Sequence, residues 1–316
     1  MAALGSGGAP SGPVALAVVV GHPETTAFAL AVDAALAVAA AVYVVSARRL
    51  RREEADGRRP RPRHGWSPWR VAAFLSGLLL AYVAIGSGLA AYSARPSIVV
   101  AQHVLLMMAA PPLLVLGRPV ALWRAAVGGP GEPRRRAGAA VGHGAEGSTS
   151  PLARRGALAV WVLYYGSMAG FFLTPLFPGA LHDPGLLDAS ELWFAAVGLA
   201  FALYVVGGAA APGGPSFWVR LAAILAGAPA ETAVGLALLL WPHPLAPGVT
   251  LATTHTAGLV LWAGGMLTSG LSLAYVLGLW VLDDSRRGAE LDLVLDAAVV
   301  PVSLGDGPGS GRPSPR

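Results

Sequence analysis

The chain has 316 residues, 55% of them hydrophobic and only 12% charged, with a mean hydropathy of +0.60. A soluble domain carries about 25% charged residues, so this composition excludes a soluble enzyme, a nucleic-acid binder and a disordered chain, and describes an integral membrane protein. The chain has no cysteine and no lysine, which excludes disulfides, thiolate metal sites, Fe–S clusters and c-type haem attachment, and also a retinal Schiff base or lysine-based covalent catalysis.

Seven stretches offer the roughly 20 mostly apolar residues that a spanning helix needs: 25–46, 70–91, 98–117, 157–176, 191–210, 219–241 and 253–282. The last is long enough to tilt or to project beyond the bilayer. Residues 13–20 are apolar but too short to span, and no basic segment precedes them, so a cleaved signal peptide is not expected. The expected fold is all-α, a polytopic bundle of seven transmembrane helices. Its parts are an extracytoplasmic segment 1–24, a membrane domain 25–282 and a disordered cytoplasmic tail 283–316. Within the membrane domain, residues 128–156 are rich in Gly, Pro, Arg and Ser and read as a flexible cytoplasmic loop.

The net charge of +5 rests on 22 arginines, and their placement sets an orientation. Nine lie within 47–70 and seven within 117–156; Arg220 follows the fifth stretch, and Arg286, Arg287, Arg312 and Arg316 follow the seventh. With alternating spans, every arginine but Arg95 falls on one side. The N-terminus is therefore expected outside and the C-terminus in the cytoplasm. Arginine-only basic usage with abundant Ala and Gly suggests a GC-rich bacterial genome, and hence a multi-pass protein of a bacterial plasma membrane.

Ionisable groups at membrane depth are costly and usually face the bundle interior. At about 1.5 Å per residue, Asp33 lies about 12 Å below the outer end of the first stretch. His103 falls in the outer third of the third stretch, Glu191 at the outer mouth of the fifth, Glu231 in the middle to outer part of the sixth and His255 near the outer surface; His182 and His243 are in outer loops. The polar side chains thus gather in the outer half.

The third stretch is the most informative. His103 and Met107 are four apart and share a helix face, and an imidazole with a thioether suits soft Cu(I). Methionine also packs apolar cores, and a membrane histidine also serves as an interhelical hydrogen-bond partner. Pro111 and Pro112 donate no backbone bonds, so the carbonyls of Met107 and Met108 lose their helical partners and a kink is expected. Such irregularity at membrane depth must be buried or line a cavity. In the seventh stretch His255, Gly258, Trp262 and Met266 lie near one stripe, where glycine permits close approach of a neighbouring helix. Asp33, Glu231, Gln102 and Glu191 are candidate partners for orienting an imidazole or for carrying protons. Trp66, Trp69 and Trp241 read as interfacial anchors.

Gln102-His103, the following Leu105-Leu106-Met107, Ala110-Pro111-Pro112-Leu113-Leu114 and Leu116-Gly117-Arg118-Pro119 resemble the signature of the CtaG-type cytochrome c oxidase assembly proteins. Ala257-Gly258 and Trp262 are similar to that family's last conserved helix. The resemblance covers about residues 25–282 and implies a bacterial seven-helix protein linked to copper supply and maturation of haem–copper oxidases. It also implies partners among oxidase subunits or other copper-handling proteins. The chain departs from the family pattern at three places. Val99-Val100 replaces the first His-Met of the third helix, Glu191-Leu192-Trp193-Phe194 carries no histidine, and Thr254-His255 stands where Asp-Gln is common.

The function expected is a non-enzymatic assembly factor that handles copper at the outer membrane face, with His103, Met107, His255 and Met108 as candidate metal ligands. Three other readings stay open: a haem protein with His103 and His255 as axial ligands, a proton-coupled transporter using Asp33 and Glu231, and a metal-free scaffold. HExxH, GxSxG, Walker A and GxGxxG patterns are not found in an informative context.

Overall fold

The computed structural model describes residues 27–57, 66–87, 89–92, 95–127, 151–207 and 215–298. The regular elements among them are helical. They are α1 (Ala27–Ala55), α2 (Pro68–Ile85), a 3₁₀ turn (Leu89–Tyr92), α3 (Pro96–Val104), a π turn (Leu105–Ala109), α4 (Ala110–Leu116), α5 (Pro119–Val127), α6 (Pro151–Phe172), α7 (Leu176–Ala180), α8 (Pro184–Val205), α9 (Phe217–Leu239) and α10 (Leu251–Ala298). The chain separates into two compact units, Met1–Leu273 and Ala274–Arg316. The first holds every site discussed below; the described part of the second is the C-terminal portion of α10.

Each of the seven expected stretches is helical over most of its described residues. Among the described residues, six helices are long and apolar enough to cross a membrane: α1, α2, the Pro96–Val127 run, α8, α9 and Leu251–Leu282 of α10. The seventh, α6, covers 22 residues but is less apolar, because Arg154, Arg155, Tyr164, Tyr165 and Ser167 interrupt it. Two boundaries differ from expectation. Helix α8 begins at Pro184 because Asp183 caps it, its Oδ1 accepting from Gly185 N at 2.9 Å and Leu186 N at 3.3 Å; an Asp N-cap before Pro is a strong start signal. Helix α10 continues to Ala298, past the start of the expected disordered tail. The segment after Asp283 has no proline before Pro301 and carries four leucine or valine residues at 291 and 293–295, so nothing breaks the helix. Residues 151–156 of the expected loop likewise form the start of α6. The N-terminal segment 1–24, loop residues 128–150 and tail residues 299–316 lie outside the described residues.

The third membrane run is irregular for a reason visible in its sequence. Pro111 and Pro112 remove two consecutive N–H donors. The backbone answers with a π turn rather than a simple kink, and Ala110 N–H bonds to Leu105 O, five residues back. In the α pattern the prolines would face the carbonyls of Met107 and Met108; in the shifted pattern they face Leu106 and Met107. The Met107 carbonyl lacks a helical donor in both. Helix α8 covers it with Gly198, where a Cβ would fall 2.7 Å from Met107 Cα. Only glycine lets two backbones approach so closely, and the contact aims a Cα–H at the orphaned oxygen.

Small residues also seat α10. A Cβ at Gly258 would fall 2.7 Å from Leu239 Cα of α9, and one at Gly264 would fall 2.8 Å from Val104 Cγ1 of α3. The third and seventh stretches are therefore in direct contact. Two buried anchors finish the frame. Arg220 of α9 donates from Nε to Val205 O at 2.5 Å, capping the last turn of α8 with a cation. Tyr43 of α1 stacks on Phe74 at 4.0 Å and donates to Gly117 O at 2.7 Å, while Trp66 Nε1 donates to the Tyr43 hydroxyl at 3.3 Å. The Gly117-Arg118-Pro119 corner turns there through Arg118 at φ 51°.

Gly198→Ala should destabilise the fold by about 1–3 kcal/mol, the usual cost of overpacking. Gly170→Ala, with nothing within 4 Å of a new Cβ, should leave it unchanged. Thermal unfolding of both variants in detergent checks this.

Candidate functional site

His103 is 1% exposed and both ring nitrogens are engaged. Nδ1 lies 2.6 Å from Val99 O; a carbonyl can only accept, so Nδ1 carries the hydrogen. Nε2 lies 3.0 Å from Ser190 Oγ of α8. The Ser190 hydroxyl also reaches Leu187 O at 2.7 Å, so its single hydrogen is shared between two acceptors when Nε2 is bare. Three phenylalanines enclose the ring: Phe171 stacks at 4.9 Å, and Phe172 and Phe194 meet it edge-on at 5.7 and 4.7 Å. Porphyrin-sized space is missing from this packing. The geometry ties α3 to α8 through a buried polar contact inside an aromatic shell.

Met107 and Met108 are 2% and 4% exposed and line a narrow cavity that His103 does not reach. Its volume is about 20 Å³, room for about one water-sized particle. The other walls combine hydroxyls and apolar groups: Tyr164 and Tyr165 of α6, Gly198 and Phe201 of α8, and Thr268, Ser269 and Ser272 of α10. Behind two of these hydroxyls sits Glu231 of α9, 1% exposed. Ser269 Oγ lies 2.9 Å from both carboxyl oxygens, and Tyr165 is an electrostatic neighbour of the same carboxyl.

The remaining sequence candidates are dispersed. His255 is half-buried and donates from Nε2 to Trp241 O at 3.1 Å, tying α10 to the loop before it. Gln102 is fully buried and donates to Ala84 O at 2.7 Å. Asp33 packs on Gly86, where a Cβ would fall 2.7 Å from its Cγ; among the described residues no donor reaches Asp33 Oδ1 or Gln102 Oε1. Glu191 is buried on α8 one turn from Asp188. Met266 takes a weak contact from the Thr232 hydroxyl at 3.8 Å. No group of three or more His, Asp or Glu side chains able to hold a metal occurs among the described residues.

Ser190, Tyr165, Ser269 and the three phenylalanines were not singled out by sequence reasoning. Ser269 and Ser272 share a helix face at a spacing of three, and Phe171-Phe172 is an aromatic pair at a helix end; these are the signals the sequence carried. Fold and site together define a helical bundle with membrane-span-capable helices and a small cleft lined by methionine, tyrosine, serine and threonine residues. A family model for the cytochrome c oxidase caa3 assembly factor matches residues 41–282, and the chain belongs to that family. No curated protein and no solved structure gives a significant match.

The hydrogen-bond pattern predicts that His103 Nδ1 is the protonated nitrogen, readable as a pyrrole-type ¹⁵N shift by solid-state NMR of histidine-labelled protein. Ser190→Ala should perturb the Nε2 resonance and leave Nδ1 in place, at a stability cost of about 1 kcal/mol.

Proposed function

We propose that the chain serves haem–copper oxidase maturation by carrying Cu(I) as cargo at the outer face of a bacterial plasma membrane. In this reading it crosses the membrane seven times, with its N-terminus outside, and its partners are oxidase subunits or other copper-handling proteins. The observation that carries the reading is the side-by-side burial of Met107 and Met108 at one cavity. Paired thioethers are soft donors that favour Cu(I) over the harder divalent ions, and the space suits a single small ion. His103 and His255 belong to the original candidate ligand set. Their ring nitrogens already hold α3 to α8 and α10 to its preceding loop, so we assign the first role to the methionines. Release from two thioethers, with no thiolate in the chain, suits a carrier that must give its ion up.

Anaerobic protein loaded with Cu(I) should hold about one ion per chain, and Met107→Ala/Met108→Ala should weaken binding by about tenfold or more. The same double variant should lower copper-dependent oxidase activity in a strain that lacks the native copy. Unchanged binding in the double variant, or no Cu(I) uptake by wild type, would discard the copper reading and leave a scaffold role for the family fold.

A further inference from the structure

Glu231 joins α9 to α10 through Ser269, and it is not a wall of the methionine cavity. It stands one hydroxyl away from that cavity. Ser269 of α10 bonds its carboxyl, Tyr165 of α6 is its electrostatic neighbour, and both residues line the space beside Met107 and Met108. Gly265 leaves room for it, since a Cβ there would fall 3.1 Å from Glu231 Oε2. The titratable groups facing the carboxyl are Tyr165 and Tyr164 of α6, while α10 presents only neutral groups, Gly265 and Ser269. Arg220, the cation on the same helix, is eleven residues earlier, about 16 Å along the axis.

Hydroxyls both donate and accept, so this shell serves either protonation state. An ionised Glu231 accepts from Ser269. A protonated one donates to it, and that hydroxyl turns its own hydrogen toward the cavity. We propose that Glu231 is an exchangeable intramembrane proton site that opens onto the methionine cavity through Ser269 and Tyr165, and that a soft monovalent cation entering the cavity displaces its proton. The second half rests on the cation-carrier reading above. The step balances without redox change. The Glu231 O–H bond breaks, its proton passes to a hydroxyl whose own proton leaves on water, and the carboxylate left behind offsets the positive charge that has entered. A cation in a low-dielectric interior is costly without such a countercharge.

Infrared difference spectroscopy of the full-length protein in lipid, without metal, tests the first half. A protonated-carboxyl C=O band should be present in wild type, absent in Glu231→Gln and restored by Glu231→Asp. It should shift in Ser269→Ala and in Tyr165→Phe, and the double variant should lose the deuterium exchange that wild type completes in D₂O. No band lost in Glu231→Gln, or exchange unaffected by removing both hydroxyls, overturns the proton site. Titration with Ag(I), a redox-inert soft ion, tests the second half. Wild type should release about one proton per ion bound and Glu231→Gln about none, and Met107→Ala/Met108→Ala should lose ion uptake while keeping the infrared band. Equal proton release in wild type and Glu231→Gln overturns the coupling. Absence of Ag(I) uptake with the band intact overturns the cation reading and the coupling, and leaves the proton site established.

Discussion

A backbone that crosses a membrane must satisfy its own hydrogen bonds, and at Pro111-Pro112 this one fails to do so twice in succession. The consequences organise the middle of the molecule. The helix widens into a π turn, the Met107 carbonyl is left to the side, and Gly198 of α8 closes over it. That contact fixes how deeply α8 can pack against α3. With the two backbones so close, Phe194 and Ser190, one and two turns before Gly198, are brought onto His103. The same widening leaves Met107 and Met108 beside a space that the regular helices around them do not fill.

His103 changes meaning in this setting. As a residue type it is the natural metal ligand, but its imidazole is spent on the backbone one turn earlier and on Ser190 of a neighbouring helix. The carbonyl it holds belongs to Val99, a fully buried core residue. In the proposed Cu(I) role the donors are thioethers, which need no deprotonation and carry no thiolate charge.

Polar groups at membrane depth fall into two kinds. Some close the frame: Arg220 caps α8, Tyr43 binds the Gly117 carbonyl, and His255 bonds the loop before α10. Each donates to a backbone carbonyl at or beyond a helix end. Glu231 and Ser269 bond each other instead, side chain to side chain. A carboxyl held by a hydroxyl is held by a group that can reverse donor and acceptor roles, which is the property a proton site requires.

The membrane class, the all-helical fold and the positions of the seven helical stretches were legible in the sequence, because length and apolarity alone decide whether a segment suits a bilayer. The irregularity at Pro111-Pro112 was legible for a covalent reason, since proline has no N–H. The starts and ends were less so. The Asp183-Pro184 cap lies outside the apolar stretch, and the extension of α10 depends on helix propensity rather than hydropathy. Only the tertiary structure decided which polar residues meet. Ser190 on His103, and Ser269 with Tyr165 on Glu231, are pairs from helices distant in sequence, and helical periodicity carries no information about which helix a face will meet. It also decided that the methionines share a cavity from which the histidine next to them is excluded, because that depends on how far the π turn lets α8 approach.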